Sequence, residues 1–425
     1  MFFAALTLLM VGFPVAFVFG ATAIVFSVIF PEVGIDVFNF LPFRIYGIMQ
    51  NFTLMAVPLF IFMGLILERS DLARRLLESM AKLFGRIRGG LAISVVLVGA
   101  ILAASTGIVG ASVVMMSVIA LPIMVKHSYS KPLASGAIAA SGTLGQLIPP
   151  SVVLIILGDV MSISVGDLFK AAVLPGVLLI GLYLLYILFV SWKNPDLAPA
   201  IVDDNTPRIE VYKEAVFAIL PPLLLILSVL GSIFFGIASP TESAAVGVLG
   251  ALILSSVNKS ISVEMVTSST LKTVRLTGMI FMILIGATAF SLVFNELGGS
   301  EIILDFFSQE HFSKWFFVAM SMFVIFVLGF FIDFIEIAFI VVPILLPVVE
   351  ELAIDPLWYA ILIAMNLQAS FLTPPFGFAL FFLKGAANNL VSTMEIYKGV
   401  IPFILLQLLA LAIIIGFPKI VSALL

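Results

Sequence analysis

Asp333 is the residue whose type and position most clearly predict chemistry. It lies near the middle of 314–350, an apolar stretch with no Lys or Arg between Trp315 and Glu350. A carboxylate at the centre of a bilayer is costly unless it is paired, solvated or bound to a cation. Because no basic residue is near in sequence, a metal cation or a proton is the predicted partner, unless the stretch is a loop that leaves Asp333 in water. Glu336, one turn later, is either a second ligand or a residue facing the pore.

Hydroxyl groups mark the middle of a second apolar stretch, 91–126. Ser105, Thr106 and Ser112 flank residues 107–111, which include Gly107, Gly110 and Ala111. Hydroxyl oxygens suit a hard cation such as Na⁺ or a polar substrate, and unwound backbone adds carbonyl oxygens. The alternative is that these hydroxyls only bond to the preceding helical turn.

Two further groups of amides and hydroxyls flank paired prolines. The members are Thr143, Gln146, Ser151, Asn366, Gln368, Ser370 and Thr373. They either face a binding cavity or cap the ends of interrupted helices, and different members can do each.

Pro149–Pro150 and Pro374–Pro375 are the breaks that position these groups. Proline lacks an N–H, clashes with the preceding turn and pushes the residue before it out of the α region. A break at membrane depth leaves backbone groups unpaired, which is tolerated only where the backbone is buried in protein or lines a cavity. Each pair is therefore predicted to interrupt a spanning helix at a polar site.

The two breaks indicate an internal repeat. The position numbers of Pro149 and Pro374 differ by 374 − 149 = 225, and those of Pro122 and Pro347 differ by the same amount. Interrupted helices in corresponding halves are the best sequence indication of the binding site in a secondary transporter.

The composition restricts the class of protein. The 425 residues are 62% hydrophobic and 10% charged, and the mean hydropathy is +1.29. These values predict an all-α polytopic membrane protein. With no Cys and two His, disulfides, thiolate catalysis and a histidine metal site are not expected, and the net charge of −4 gives no case for nucleic acid. The sequence has no phosphate-binding loop and no nucleophile–base pair, so neither ATP drive, an organic cofactor nor enzymatic activity is predicted.

The chain is predicted to contain two repeats joined by a connector. The first repeat is 1–192, the connector and linking span are 193–236, and the second repeat is 237–425. Helical hairpins that enter and leave by one face are expected at 91–126 and 314–350, and broken helices at 132–160 and 357–382. We also expect one continuous span at 3–30, an amphipathic interfacial helix at 70–89, and an interfacial segment at 263–275 that is separate from a span at 276–295.

Charge predicts the orientation. If hairpins do not cross, each repeat makes four crossings and the linking span adds one, so the second repeat is inverted. Most of the 20 basic residues then lie on the face that holds 69–88, 126–131, 193–213 and 259–275. The positive-inside rule makes that face cytoplasmic, with the N-terminus inside and the C-terminus outside.

Four motifs resemble the large membrane subunit of tripartite ATP-independent periplasmic (TRAP) transporters over essentially the whole chain. They are ASTGIVGAS at 104–112, ASGTLGQLIPPS at 140–151, ASPTE at 238–242 and FLTPPFG at 371–377. The residues of these motifs are similar to those of the family branch associated with mannitol or chloroaromatic compounds.

The resemblance implies a sodium-coupled elevator importer in the bacterial cytoplasmic (inner) membrane. A transport domain would move in a scaffold extended by a small four-helix membrane subunit, and a periplasmic binding protein would deliver a small molecule, commonly an organic acid. It also implies sodium ligands at Ser105, Gly145, Asp333 and Thr373. Some relatives have an acidic residue in the first hairpin, whereas this chain has Gly110-Ala111-Ser112-Val113 there.

The candidate ligands divide into two sets. For sodium they are Ser105, Gly145, Asp333, Ser370 and Thr373. For substrate they are Thr106, Ser112, Thr143, Gln146, Asn366 and Gln368. Two alternative functions stay open, a self-contained sodium-coupled carboxylate carrier and an ion channel.

Overall fold

The computed structural model describes residues 1–107, 109–201, 207–308 and 313–425, except for the side chains of residues 105, 106 and 308. The described chain is helical and contains no β-strand. The helices of the first half are α1 Phe2–Val11, α2 Val15–Ile29, α3 Leu41–Met49, α4 Ala56–Arg69, α5 Leu72–Phe84, α6 Gly90–Thr106, α7 Val109–Lys126, α8 Lys131–Thr143, α9 Val152–Val160 and α10 Val165–Lys193.

The linking helix is α11 Arg208–Phe234. The second half then follows, with the helices α12 Pro240–Val257, α13 Val263–Glu296, α14 Gly299–Ser308, α15 Lys314–Leu328, α16 Phe334–Glu336, α17 Val342–Glu351, α18 Pro356–Leu372, α19 Phe378–Ala386, α20 Thr393–Gly416 and α21 Lys419–Ser422. Short 3₁₀ turns occupy Ile35–Phe40, Leu144–Gln146 and Pro195–Leu197, and a π-helical segment at Ile337–Val341 joins α16 to α17.

Six of the described helices are long and apolar enough to cross a membrane: α7, α10, α11, α12, α13 and α20. Five shorter apolar helices accompany them among the described residues: α1, α2, α6, α15 and α18. The all-α polytopic membrane class is therefore confirmed.

Two sequence predictions about spans are wrong. The expected continuous span at 3–30 is interrupted, because Gly12 adopts a left-handed φ of 98° and ends α1, and Pro14 is the extended N-cap residue before α2. In contrast, the expected interfacial segment and span at 263–296 form one helix of 34 residues. Ser262 caps its start, and no proline interrupts it afterwards. At about 1.5 Å per residue this helix is longer than a hydrocarbon core of about 30 Å.

Helix boundaries recur at the offset of the paired prolines. α8 begins at Lys131 and α18 begins at Pro356, and 356 − 131 = 225. The second helix of the first hairpin, α7, runs from 109 to 126, and the unit formed by α16 and α17 runs from 334 to 351. Both the starts and the ends of these two units are 225 positions apart. The same sequence pattern thus folds into the same series of elements twice.

The helices pack in two groups, which contact each other where α4 packs on α6. In the first group, α13 packs against α2 and α4, and α12 packs against α4 and α11. The other contains the hairpins and the broken helices, in which α8 contacts α6, α7, α18 and α20. Close backbone approach holds the second group together, since a methyl group on Gly136 of α8 would overlap the backbone of Gly399 in α20.

Candidate functional site

The first hairpin lies directly against the first break. Gly107, with a φ of 60°, ends α6, and a Cβ there would lie 3.1 Å from a methyl group of Val152, the first residue of α9. On the other side of the break, a Cβ at Gly145 would lie 3.3 Å from the carbonyl oxygen of Ala103. Gly145 therefore lies against α6, close to the end of that helix.

Other candidates near the first break are buried. Ser112 lies in the first turns of α7, and the Ser151 hydroxyl donates to the carbonyl of Gln146 at 2.8 Å. Neither amide atom of Gln146 has a hydrogen-bond partner among the described residues. The backbone of Ser105 and Thr106 ends α6, whereas the predictions for their side chains fall outside the described part of the structure.

The second hairpin makes the equivalent contact with the second break. Gly329 follows α15, and a methyl group there would overlap the hydroxyl of Ser370. The rings of Phe331 and Phe376 lie 5.4 Å apart across the same junction. Asn366 donates from Nδ2 to the carbonyl of Met322 in α15 at 2.6 Å. This bond connects the broken helix α18 to the hairpin helix α15, so Asn366 has a positioning role there. The sequence alone did not distinguish that role from contact with substrate.

Two carboxyl groups occupy the turn of the second hairpin. Half-buried Asp333 caps α16 by accepting from the N–H of Phe334 at 2.7 Å. Glu336 is only 5% exposed and lies close enough to Asp333 for electrostatic repulsion between the two carboxylates. Its Oε2 has no hydrogen-bond partner within the described chain. The π-helical segment begins at the next residue, and such segments are frequent at functional sites.

The two breaks differ in how far their residues are exposed at the protein surface. Pro149 and Pro150 are buried, whereas Pro375 and Phe376 are exposed and Thr373 is half-buried. In both breaks the Pro–Pro peptide bond is cis. The hydroxyl of Thr373 donates to the carbonyl of Ala369 at 2.7 Å. This hydrogen bond lies within the last turn of α18 and does not reach the second hairpin.

A buried polar cluster joins the two repeats. Thr143 Oγ1 lies 3.5 Å from Nε2 of Gln368 and 3.4 Å from Nε2 of Gln407. Its own hydroxyl proton goes to the carbonyl of Ala140 at 2.9 Å, so Thr143 accepts from both amides. The hydroxyl of Tyr183 lies beside the same two amides. All four side chains are at most 2% exposed.

Two members of this cluster were not among the sequence candidates. Gln407 is the one amide in the apolar helix α20, and Tyr183 lies in α10. A lone amide in a membrane span is itself a signal, because a polar group in hydrocarbon needs a partner. Glu242 forms a capping box with Ser239 at the start of α12.

The arrangement places carboxylate, hydroxyl, amide and carbonyl oxygens where hairpins meet broken helices. Oxygen-rich sites of this kind hold hard cations, and half-helix N-termini favour anionic groups. No group of three or more His, Asp or Glu suited to a metal ion occurs among the residues that the structure describes.

Comparison with known proteins identifies the family. The family model described as tripartite ATP-independent periplasmic transporter, DctM component, matches residues 2–420. A C4-dicarboxylate TRAP transporter large permease protein of Pseudomonas aeruginosa is 31% identical over 387 residues, with 90% of this chain and 88% of that protein covered. A sialic acid TRAP transporter large permease protein of Vibrio cholerae is 28% identical, with 98% and 96% covered.

A solved structure shares the fold. The crystal structure of the Alcanivorax borkumensis YdaH transporter, described as having an unusual topology, aligns with a TM-score of 0.66. The alignment covers 98% of this chain and 99% of that one at 15% identity, which supports the fold alone. On the family match over residues 2–420, the chain belongs to the DctM component family of tripartite ATP-independent periplasmic transporters, as a multi-pass membrane permease subunit and not an enzyme.

Proposed function

We propose that the chain is the large permease subunit of a sodium-coupled importer that takes a small organic acid from a periplasmic binding protein. The relatives named above are a C4-dicarboxylate permease and a sialic acid permease, and a further relative from Oleidesulfovibrio alaskensis is named as an isethionate permease. All three names are those of organic acids or their anions, which supports this substrate class.

The observation that carries sodium coupling is the pair of carboxyl groups at Asp333 and Glu336. They lie together in a hairpin that has no basic residue between Trp315 and Glu350. Burying adjacent negative charges is unfavourable unless a cation offsets them. A bound Na⁺ would supply that charge, and the ion and carboxylate would then cross the membrane as a nearly neutral unit.

The proposed ligands are the candidates named from the sequence, divided between a first sodium region at the first hairpin and break and a second sodium region at the second hairpin and break. Asp333 and Ser370, with Thr373 at the second break, belong to the second sodium region, and Ser105 with Gly145 to the first. Substrate would contact Thr106, Ser112 and Gln146. The central pair Thr143 and Gln368 is fully buried, and we propose that it positions the two breaks for that contact.

Movement is proposed to follow the two packing groups. The group around α4, α12 and α13 would form the scaffold, together with a small membrane subunit that packs on it. The hairpins and broken helices would move against it as an elevator. The mutual packing of α8, α18 and α20 supports their motion as one body.

The test is uptake into proteoliposomes that contain the chain and its small membrane subunit, with the binding protein added outside. Uptake of the solute carried by that binding protein should require an inward sodium gradient. Uptake that proceeds equally without the binding protein would instead support a self-contained carrier. A current that does not saturate would support a channel.

A further inference from the structure

Helix α1 is a separate element from the scaffold helix α2 that follows it. At about 1.5 Å per residue its 10 residues span about 15 Å, which is about half of the hydrocarbon core of a bilayer. Gly12 ends α1 with a φ of 98°, and Pro14 is the extended residue before α2. A Cβ at Gly12 would have no described neighbour within 4 Å. The angle between α1 and α2 can therefore change without loss of packing at Gly12.

The inner face of α1 packs against the second hairpin. The gap between them has a volume of about 10 Å³, close to the smallest that holds one water molecule. Ala5 is 1% exposed and Ile332 is 5% exposed, so both are buried where the two elements meet. We call this junction the α1 contact. Its residues on α1 are Phe2, Ala5, Leu6 and Leu9, and those on the hairpin are Ile332, Ile340 and Val341.

The hairpin side of the α1 contact brackets the two carboxyl groups in sequence. Ile332 directly precedes Asp333, and Ile340 lies in the π-helical segment that begins directly after Glu336. A π-helical turn is rare and short because it is less stable than a regular helical turn, so the surrounding side chains must hold it in place. The α1 contact therefore supports both ends of the stretch that carries Asp333 and Glu336.

The same gap reaches the scaffold. Phe19 of α2 lines it, and the ring of Phe19 lies 5.2 Å from that of Phe290 in α13. The opposite face of α1 is open to the surroundings, since Phe3 is 79% exposed. Lipid tails are as apolar as these side chains, so close packing must hold α1 on the hairpin. The small side chain of Ala5 permits that close approach.

We propose that α1 is a hinged positioning helix that holds the turn of the second hairpin in its sodium-binding shape and pivots at Gly12 when the hairpin moves against α2. The inference rests on the sodium site proposed above at Asp333 and Glu336. Sodium that binds the packed turn more tightly than the loosened turn must bind more weakly when the α1 contact is opened. Ala5 acts through Ile332 and is not a ligand of the ion.

The test opens the α1 contact with Ala5→Leu in the full chain in detergent. Sodium affinity is measured from the rise of the unfolding temperature with sodium chloride, against choline chloride at equal ionic strength. The added side chain should lower sodium affinity by about tenfold. Thr7→Leu, on the exposed face of α1, is the matched control and should leave the affinity unchanged. Adding Ile340→Ala to Ala5→Leu should restore most of the affinity, because it makes room for the larger side chain.

A second variant alters the hinge without filling the contact. Gly12→Ala is strained at a φ of 98° and should also lower sodium affinity, whereas Gly20→Ala, at an open helical position of α2, should not. In proteoliposomes, the solute concentration for half-maximal uptake at saturating sodium should not change in either hinge or contact variant. These results would distinguish positioning of the sodium site from general support of the fold.

The outcomes separate this inference from the proposed sodium site. Lower unfolding temperatures with unchanged sodium affinity in Ala5→Leu and Gly12→Ala would make α1 a structural element and overturn the inference. If Asp333→Asn loses sodium binding while both α1 variants keep it, the sodium site stands and the role of α1 is wrong. A parent protein that sodium does not stabilise would overturn both.

Discussion

Thr143 and Gln368 are both fully buried and meet across the two repeats, at positions separated by the repeat offset. Thr143 Oγ1 lies 3.5 Å from Gln368 Nε2, and the two positions are 225 apart, as are Pro149 and Pro374. The same position in each repeat therefore contributes one partner of a single contact. Such a contact is expected where two copies of one structural unit face each other across a pseudo-twofold axis.

Thr143→Val should destabilise the protein, because the buried amides of Gln368 and Gln407 would lose their acceptor. The expected loss is about 1–3 kcal/mol. Adding Gln368→Leu should cost less than the sum of the two single changes, as measured by a double-mutant cycle on thermal unfolding in detergent. Thr7→Val is the matched control, since the exposed Thr7 hydroxyl bonds only to a carbonyl of its own helix. Equal destabilisation by both substitutions would contradict a special role for the cluster.

Gly329→Ala should impair folding or uptake, because a methyl group there would overlap the hydroxyl of Ser370. Overpacking of this kind costs about 1–3 kcal/mol. The double variant Gly329→Ala with Ser370→Gly should recover stability, since it removes the obstructing side chain. Gly181→Ala is the control, because nothing lies within 4 Å of a Cβ at that helical position. Thermal unfolding measures all four proteins, and a harmless Gly329→Ala would show that hairpin and break are not tightly packed.

Asp333→Asn should abolish sodium-driven uptake while the protein stays folded. The change keeps size and hydrogen bonding but removes the charge, so sodium affinity should fall by about tenfold or more. Glu336→Gln should weaken sodium affinity as well, since its carboxylate is buried beside Asp333. Glu350→Gln makes the same change at an exposed site of this hairpin and should have no effect. Unchanged sodium dependence in Asp333→Asn would move the coupling site to the first hairpin.

A cross-link between positions 51 and 159 should stop transport reversibly. Asn51 Nδ2 lies 2.5 Å from Asp159 Oδ1 of α9, and the next residue, Phe52, accepts from Thr241 of α12 at 2.6 Å. The contact therefore joins the proposed moving group to the proposed scaffold. In Asn51→Cys with Asp159→Cys, oxidation should arrest uptake and a reductant should restore it. Each single cysteine variant is the control, and full uptake by the oxidised pair would exclude relative movement at this point.

Sequence determined the features that depend on local chemistry. Paired prolines cannot continue a helix, so both breaks were found where the structure has them, between α8 and α9 and between α18 and α19. The hydrophobic content fixed the class of protein, and the shared offset of the prolines anticipated helices that begin at that same offset. The predicted orientation in the membrane and the sodium ligands still depend on charge distribution and family resemblance.

Tertiary structure decided which polar groups meet. Gln407 is one amide in an apolar helix, and only the packing of α20 on α8 brings it to Thr143. The failed span predictions have the same origin. A weak interruption such as Gly12-Phe13-Pro14 breaks the helix between α1 and α2, whereas the polar segment before 276 continues as helix α13 against α2 and α4. Hydrophobicity measures the preference of each residue for lipid, but a hydrogen bond or a packing contact needs two partners, and the fold alone places the second.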